Sequence, residues 1–249
     1  MNDCRIEIAG VPVLVRCCHQ ENADFFRDYR KEGQEECLIV EPTQADLERI
    51  QADFDRADEA EGIPKHRRTD SFLENNAIHA LLSEKLVDYS VLLMHGSALC
   101  MDQDAYIFTA KSGTGKSTHA RLWREVFGER VWMINDDKPM LKIGRQGAAV
   151  YGSPWRGKHR LGTNASAPLR AIVQLERGDV NHIEPMSKAD AFPVLMKQSL
   201  RAGSPGTRIK ILELEKRLLD STDFYRLTCN LEPEAAAVAW KGMNEGIFR

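Results

Sequence analysis

A glycine-rich segment near the middle of the chain constrains the possible folds more than any other feature. Residues 105–109 before it are apolar and β-prone, and residues 116–127 after it carry apolar side chains at helical spacing. Glycine adopts backbone conformations that other residues rarely reach. A strand, a glycine-rich turn and a helix in this order predict an α/β sheet whose turn lies at the carboxyl edge of the strand.

The glycine-rich segment fits the phosphate-loop pattern G-x-x-x-x-G-K-[ST]: Gly115-Lys116-Ser117 match, and Ala110 replaces the first glycine. Gly113 and Gly115 let the backbone curl so that several N–H groups point inward, beside the positive end of the following helix dipole. Lys116 would supply a mobile cation for the outer phosphates, and Ser117 a hydroxyl ligand for Mg²⁺. The alternative is a glycine-rich turn without a ligand. The residues predicted to bind the nucleotide are Ser112, Gly113, Thr114, Gly115, Lys116, Ser117 and Thr118.

Polar residues flank the phosphate loop on both sides in the sequence. His95 follows a predicted strand at 91–94, and Asp136-Asp137 follow a predicted strand at 131–134. Because loops at the carboxyl ends of neighbouring strands converge on one crevice, we expect the two acids near the phosphates. Phosphoryl transfer to a hydroxyl needs a carboxylate that holds Mg²⁺ and a group that accepts the alcohol proton, and adjacent acids could divide these tasks. The alternatives are a polar turn for the acids and a buried structural role for His95.

The segment 156–160 combines three strong cations with a histidine, next to Trp155. Such a loop suits an anionic substrate or the charge on a transferring phosphate. The alternative is an exposed basic loop. The predicted substrate residues are Arg156, Lys158, His159 and Arg160, and further, less specific candidates are Arg201, Asn164 and Glu176.

Composition excludes several classes of protein. The net charge is −3, so we expect neither nucleic acid nor an anionic membrane as the main partner. No apolar run approaches the roughly 20 residues that cross a bilayer, and the acidic N-terminus does not resemble a secretory signal. The six cysteines show no Cys-x-x-Cys or zinc spacing, which favours reduced thiols in a cytoplasmic protein.

The length of 249 residues allows one large domain or a domain with a smaller lobe. We predict an α+β segment at 1–90 and, at 91–249, an α/β nucleotide-binding domain with a mixed sheet and flanking helices. In the first segment, alternation over 5–15 predicts a hairpin, and a short strand is predicted at 37–40. The pattern at 43–61 predicts a helix capped by Thr43. A core helix follows, for which the pattern predicts Asp70 or Ser71 as the cap and Glu74 as its reciprocal partner. Later strands are predicted at 98–101, 140–143, 148–151, 169–175 and 224–228, and later helices at 187–199, 207–219 and 233–243.

Three of these pieces, in this order, resemble the superfamily of HPr kinase/phosphorylase and phosphoenolpyruvate carboxykinase. They are Met94-His95-Gly96, the loop 113–117 and Asp136-Asp137. Carboxykinases have a similar Met-His run and Ser-Gly-Thr-Gly-Lys loop, and HPr kinases have a His-Gly run and an Asp-Asp pair. The resemblance covers residues 91–140 and extends weakly through 169–176, so the chain looks like a compact, HPr kinase-like member.

The resemblance implies a cytoplasmic, ATP-dependent phosphotransferase that uses Mg²⁺ or Mn²⁺. It implies that Asp136 is the base that deprotonates the acceptor hydroxyl, while Asp137 and Ser117 bind the metal. His95 would contact the transferring phosphate or the metal, beside Lys116. The acceptor would be a hydroxyl of a peptide, a protein or a small molecule, with serine ranked first. A homo-oligomer is also implied.

Two departures from the family shape the alternatives. Carboxykinases are much longer, and their oxaloacetate-binding arginine region has no visible counterpart here, which argues against decarboxylation. HPr kinases carry a Glu-Ile-Arg-Gly-Leu-Gly stretch, whereas the comparable segment 152–162 lacks the glutamate, which puts recognition of HPr in doubt. The alternatives to a kinase are therefore a carboxykinase-like decarboxylase and a non-catalytic nucleotide-binding switch or partner module.

Overall fold

The computed structural model describes residues 2–33, 38–111, 113–199 and 203–245. Contacts divide the chain into a first unit, Met1–Tyr89 with Ala202–Thr207, and a second unit, Ser90–Arg201 with Arg208–Arg249. Among the described residues, no helix is both long enough and apolar enough to cross a membrane. Both units combine helices with sheets, so the predicted α/β class is confirmed at that level.

The first unit is built on a three-stranded sheet. Strands β1 and β2 form the predicted hairpin, and β3 pairs with β2 in parallel. The hairpin turns at Ala9 and Gly10, which both have positive φ, and Pro12 lies inside β2. Part of the predicted strand at 37–40 is observed, although residue 37 lies outside the described residues. The elements are β1 (Asn2–Ile8), β2 (Val11–Cys17), α1 (Gln20–Phe25), β3 (Leu38–Val40), α2 (Gln44–Glu61) and α3 (Asp70–Leu86).

Helix caps in the first unit confirm one prediction and correct another. Thr43 caps α2 in a reciprocal capping box with Asp46, as the sequence indicates for Thr43. Helix α3 is capped by Thr69, so the prediction of Asp70 or Ser71 is wrong. Glu74 does not serve the cap either: its carboxylate accepts hydrogen bonds from the backbone N–H of Cys18 and from the Asn22 amide. These hydrogen bonds to residues far away in the sequence hold the Glu74 side chain away from the helix terminus.

The second unit contains a nine-stranded mixed sheet within the described residues. Its order is β4-β8-β9-β10-β6-β5-β7, with β12 beside β10 and β11 beside β12. The strands are β4 (Val91–Leu93), β5 (Ser97–Met101), β6 (Asp104–Thr109), β7 (Val131–Asn135), β8 (Met140–Ile143), β9 (Ala148–Tyr151), β10 (Ser166–Arg177), β11 (His182–Pro185) and β12 (Asp223–Cys229). The remaining helices are α4 (Lys116–Phe127), α5 (Lys188–Gln198), α6 (Pro205–Ser221) and α7 (Glu234–Asn244).

Strand direction determines where the loops of the second unit meet. β6 and β12 both run parallel to β10. β7 also runs parallel to β6, because each of them pairs antiparallel with β5. The loops that follow β6, β7, β10 and β12 therefore lie along one edge of the sheet, the edge at which ligands bind in α/β proteins.

Helix α4 is fixed to the sheet by aromatic packing. Trp123 is fully buried, and its ring centroid lies 5.3 Å from those of both Tyr106 and Phe108 on β6. Its indole N–H donates to His119 Nε2 at 3.0 Å. Burial of a large aromatic side chain contributes several kcal/mol to folding, so the amino end of α4 is held firmly at the sheet edge.

Candidate functional site

The turn between β6 and α4 has the backbone that its glycines predict. Gly113 has φ +75° and Gly115 has φ +123°, conformations in which a side chain is strained. Ala110 is buried and is not among the residues with positive φ, so alanine is accommodated where the motif usually has glycine. Ser112, also predicted to bind the nucleotide, lies outside the described residues.

The amino terminus of α4 differs from those of α2, α3 and α5. α2, α3 and α5 are capped by the hydroxyls of Thr43, Thr69 and Ser187, and each has an acidic residue in its first turn. α4 begins at Lys116 after Gly115, which has no side chain to cap it, and its first turn carries no acid. The first N–H groups of a helix have no partner inside the helix and favour an anion. This terminus suits a phosphate.

Lys116 links the turn to the two acids electrostatically. Its ammonium lies 3.5 Å from the carbonyl oxygen of Ala110. Burial is the main cause of a lowered pKa for Lys116, whereas the charges of Asp137 and Asp136 act in the opposite direction. The lysine and both acids therefore share one electrostatic environment.

Asn135, the last residue of β7, sets the direction of the acid pair. Its side-chain oxygen accepts hydrogen bonds from the backbone N–H groups of Asp137 at 2.9 Å and Lys138 at 2.7 Å. Its amide donates to the carbonyl and hydroxyl oxygens of Ser153. This turn changes the chain direction directly after the strand and brings both carboxylates to the edge.

Asp136 is the more buried acid, with 7% of its surface exposed. The hydroxyl of Ser97, the first residue of β5, donates to its Oδ1 at 2.6 Å. Its backbone N–H donates to the carbonyl of Leu161 at 3.1 Å. Oδ1 is held by the Ser97 hydroxyl, which leaves Oδ2 the more available of the two oxygens for a proton.

Asp137, His95 and Lys138 form a compact charged group. His95 Nδ1 lies 2.9 Å from the Lys138 ammonium and 3.6 Å from Asp137 Oδ1, and the ammonium lies 3.7 Å from that same oxygen. Burial, followed by the positive charges of Lys138 and Lys116, lowers the pKa of His95 to about 4, against the opposing effect of Asp137.

The protonation of His95 follows from these contacts. With a pKa of about 4 the ring is neutral at pH 7. A lysine ammonium can only donate, so Nδ1 is the acceptor toward Lys138 and the ring proton is on Nε2. His95 can therefore donate one hydrogen bond through Nε2 without carrying a charge.

The backbone around His95 is held tightly against β6. His95 N–H donates to the carbonyl of Gln198 at 2.7 Å, and its own carbonyl accepts from the Thr109 hydroxyl at 3.2 Å. Gly96 N–H donates to the carbonyl of Asp137 at 3.0 Å. A Cβ at Gly96 would lie 2.9 Å from a methyl of Ile107, so this close approach needs glycine. The backbone places His95 next to the acid pair.

The predicted basic loop lies against the acid pair through its backbone. A Cβ at Gly157 would lie 3.2 Å from the Cβ of Asp137. Lys158, His159 and Arg160 are exposed, and Arg156 is half-buried. The structure therefore brings this loop beside Asp137, with the side chains of Lys158, His159 and Arg160 reaching solvent.

The less specific candidates are placed differently. Glu176 pairs with Arg226 at 3.4 Å, and Asn164 is exposed. Arg201 lies outside the described residues.

Three polar residues of the site edge are not singled out by the sequence pattern. Lys138 contacts His95, and the Ser97 hydroxyl donates to Asp136. The guanidinium of Arg177, at the end of β10, donates to the carbonyls of Gly113 and Thr114. Of the three, only Lys138 has a local signal in the sequence, because it directly follows the acid pair. Ser97 and Arg177 reach the site through strand pairing alone.

The oxygen groups present fit a magnesium ion that binds together with substrate phosphates. Ser117 is exposed in the first turn of α4, and Asp137 is half-buried at the edge. No group of three or more His, Cys, Asp or Glu side chains that could hold a metal occurs among the described residues. Mg²⁺ is commonly bound by one or two carboxylates plus substrate phosphates and waters, and needs no larger cluster.

Comparison with known proteins gives likenesses among solved structures. No protein family model and no curated protein matches the chain. Among solved structures, the HPr(Ser) kinase/phosphatase from Coxiella burnetii is similar, with 8% sequence identity and a TM-score of 0.35. The match covers 61% of this chain and 97% of that chain.

Proposed function

We propose that the protein is an ATP-dependent kinase of the HPr kinase-like type, which transfers the γ-phosphoryl group to a hydroxyl. A serine of a peptide or protein is the first choice of acceptor, on the sequence resemblance. The observation that carries the proposal is the grouping of Lys116, Asp136 and Asp137 in one electrostatic environment at the uncapped start of α4.

The backbone N–H groups at the start of α4 and the Lys116 ammonium would bind the outer phosphates. Fixed donors that face a phosphoryl group stabilise the charge of its transition state, which is the main task in phosphoryl transfer. Arg177 keeps two carbonyls of the turn paired, which favours the curled form of the loop.

In the proposed step, the acceptor oxygen bonds to the γ-phosphorus, and the bond from that phosphorus to the bridging oxygen breaks. ADP leaves with that electron pair, and the hydroxyl proton passes to Oδ2 of Asp136. The bond from Ser97 to Oδ1 fixes the orientation of the carboxylate. A positioned general base of this kind typically contributes roughly 10²–10⁴-fold to a rate.

His95 would donate its Nε2 proton to a phosphoryl oxygen while staying neutral, since Lys138 occupies Nδ1. Asp137 and Ser117 would hold a divalent metal, Mg²⁺ or Mn²⁺, which when bound neutralises phosphate charge. Lys138 balances the charge of Asp137 from 3.7 Å. The exposed cations at 158–160 suit an anionic or phosphorylated acceptor segment.

The first test is the Asp136→Asn variant. We expect ATP turnover, measured as ADP release with a serine-containing acceptor or water, to fall at least 100-fold, while calorimetry shows ADP affinity within threefold of wild type. Asp102→Asn is the matched control, because Asp102 lies on the β5–β6 turn at the opposite edge of the sheet. Unchanged turnover in Asp136→Asn would reject the base assignment.

The second test separates kinase from the alternatives. Lys116→Ala is expected to lose at least tenfold in affinity for ADP and pyrophosphate; unaltered binding would reject the phosphate-loop assignment. If the wild-type protein binds ADP but does not convert ATP to ADP, it is a non-catalytic nucleotide-binding module. Release of CO₂ from oxaloacetate with a nucleoside triphosphate would instead indicate a decarboxylase.

A further inference from the structure

We infer that the cavity beside the phosphate loop, between the ends of β10 and β12, is the pocket for the nucleoside part of the nucleotide. This inference rests on the proposed function and adds a nucleoside pocket to the proposed phosphate site. The cavity measures about 700 Å³, within the usual range of small-molecule sites.

Three loops line the cavity. They are the phosphate loop with Gly113, Thr114 and Gly115, the turn after β10 with Arg177 and Asp179, and the turn after β12 at residues 229–231. All three follow parallel strands and lie along the sheet edge where ligands bind. β10 extends three residues beyond its pairing with the end of β6, which brings Arg177 level with the loop carbonyls. The cavity and the proposed phosphate cradle thus share a wall.

Sheet order gives the nucleotide a direction. In the order β12, β10, β6, β5, β7, the cavity lies at β10 and β12, and the acid pair follows β7. The phosphate loop follows β6, between these two places. A nucleotide whose phosphates lie on the loop can therefore have its base at one side and its terminal phosphate near Asp136 at the other.

The lining has the chemistry that a nucleoside needs. Leu122 and Leu175 supply apolar surface inside, and Leu231 is 68% exposed at the rim. Asp179 adds an exposed carboxylate, a natural acceptor for ribose hydroxyls. Flat base rings bind between such apolar groups with a few polar contacts.

His119 supplies a buried polar group with no partner. It lines the cavity and is 3% exposed, and burial lowers its pKa to about 3, so the ring is neutral. Nε2 accepts from Trp123, which leaves the proton on Nδ1. Nδ1 has no hydrogen-bond partner among the described residues. Buried donors are rarely left unpaired, so His119 adds a polar group to the otherwise apolar wall that Leu122 and Leu175 form.

Calorimetry with ADP and with pyrophosphate tests the inference, because pyrophosphate has no nucleoside. We expect wild type to bind ADP at least tenfold more tightly than pyrophosphate. Leu231→Asp should lose at least fivefold in ADP affinity with pyrophosphate affinity unchanged. The control is Val180→Asp, since Val180 is 74% exposed on the turn after β10 and does not line the cavity. It adds the same charge nearby and should leave both affinities unchanged.

Thiol alkylation gives a second measurement that needs no variant. Cys229 lines the cavity and is half-buried, while Cys18 is exposed in the first unit. Saturating ADP should slow the reaction of Cys229 with a maleimide at least threefold, whereas pyrophosphate should not slow it. The reaction of Cys18 should be unaffected by either ligand. Peptide mass spectrometry measures both reactions.

Each outcome decides a different claim. If pyrophosphate binds but ADP binds no tighter and does not protect Cys229, the nucleoside pocket is rejected while the phosphate loop stands. If Leu231→Asp and Val180→Asp weaken ADP binding equally, charge rather than the cavity is responsible, and the inference is also rejected. If wild type binds neither probe, the proposed function fails, and this inference with it.

Discussion

Lowering the pH should destabilise the second unit through His119, the buried histidine on α4. Its folded pKa of about 3 lies well below the ordinary value of 6.5. Between these values the unfolded chain binds a proton that the folded chain does not, so stability rises with pH across this window and falls as the solution is acidified. At pH 5 the cost of keeping this one ring neutral is about 2 kcal/mol relative to pH 7.5.

His119→Gln isolates this contribution, because glutamine can still accept from the Trp123 indole but does not titrate. We expect the variant to be less stable than wild type at pH 7.5, and the gap between them to shrink by about 2 kcal/mol at pH 5. Urea denaturation at both pH values, followed by tryptophan fluorescence and circular dichroism, measures the gap. His95 also has a lowered pKa, but it is present in both proteins and cancels.

Trp123→Phe is the matched control for this measurement. It removes the hydrogen bond to His119 and keeps the titrating ring among aromatic neighbours, including Phe108 at 4.6 Å between centroids. Its stability should be lower at every pH, with the pH dependence of wild type retained. If His119→Gln shows the same pH dependence as wild type, the ring is not a buried neutral histidine and the reasoning is refuted.

Three further predictions concern the loop, the charged group and a helix cap. Gly115→Ala should lower pyrophosphate affinity at least tenfold in calorimetry, because alanine is strained at φ +123°; equal affinity would contradict the described backbone. Lys138→Met should raise the pKa of His95 toward its ordinary value in an NMR titration, since a depressing charge is removed; a fixed pKa would count against the contact. Thr43→Ala should lower the free energy of unfolding in urea by about 1 kcal/mol without affecting pyrophosphate binding. An unchanged midpoint would argue against the capping box.

Local patterns predicted the elements that carry their own signals. Helix α4 begins and ends at the residues that the apolar spacing indicates, and Thr43 caps α2 as its position suggests. The strands predicted at 140–143 and 148–151 are observed with these bounds, and they pair with each other antiparallel. In these cases capping residues, glycines and apolar periodicity act within a few residues of each other, so the sequence alone is informative.

Features that depend on distant contacts could not be predicted in this way. β11 is short and mostly polar, and it forms because it pairs with β12, whose paired residues lie 40 to 46 positions later in the chain. Glu74 has the spacing of a capping residue but binds groups at the end of β2 instead. Ser97 becomes part of the candidate site only when β5 and β7 pair, which no local pattern reveals. The roles assigned to the site residues remain predictions.

Strand β10 has a consequence for how the second unit opens. Its first residues pair with β9, and its later residues lie between β6 and β12. Separating β10 from the strands on either side breaks its backbone hydrogen bonds and exposes their N–H and C=O groups. The two halves of the sheet should therefore unfold together rather than one after the other. The amide hydrogens of Ile172 and Val173 would then exchange with deuterium only through global unfolding, and nucleotide at one end should slow exchange at the other.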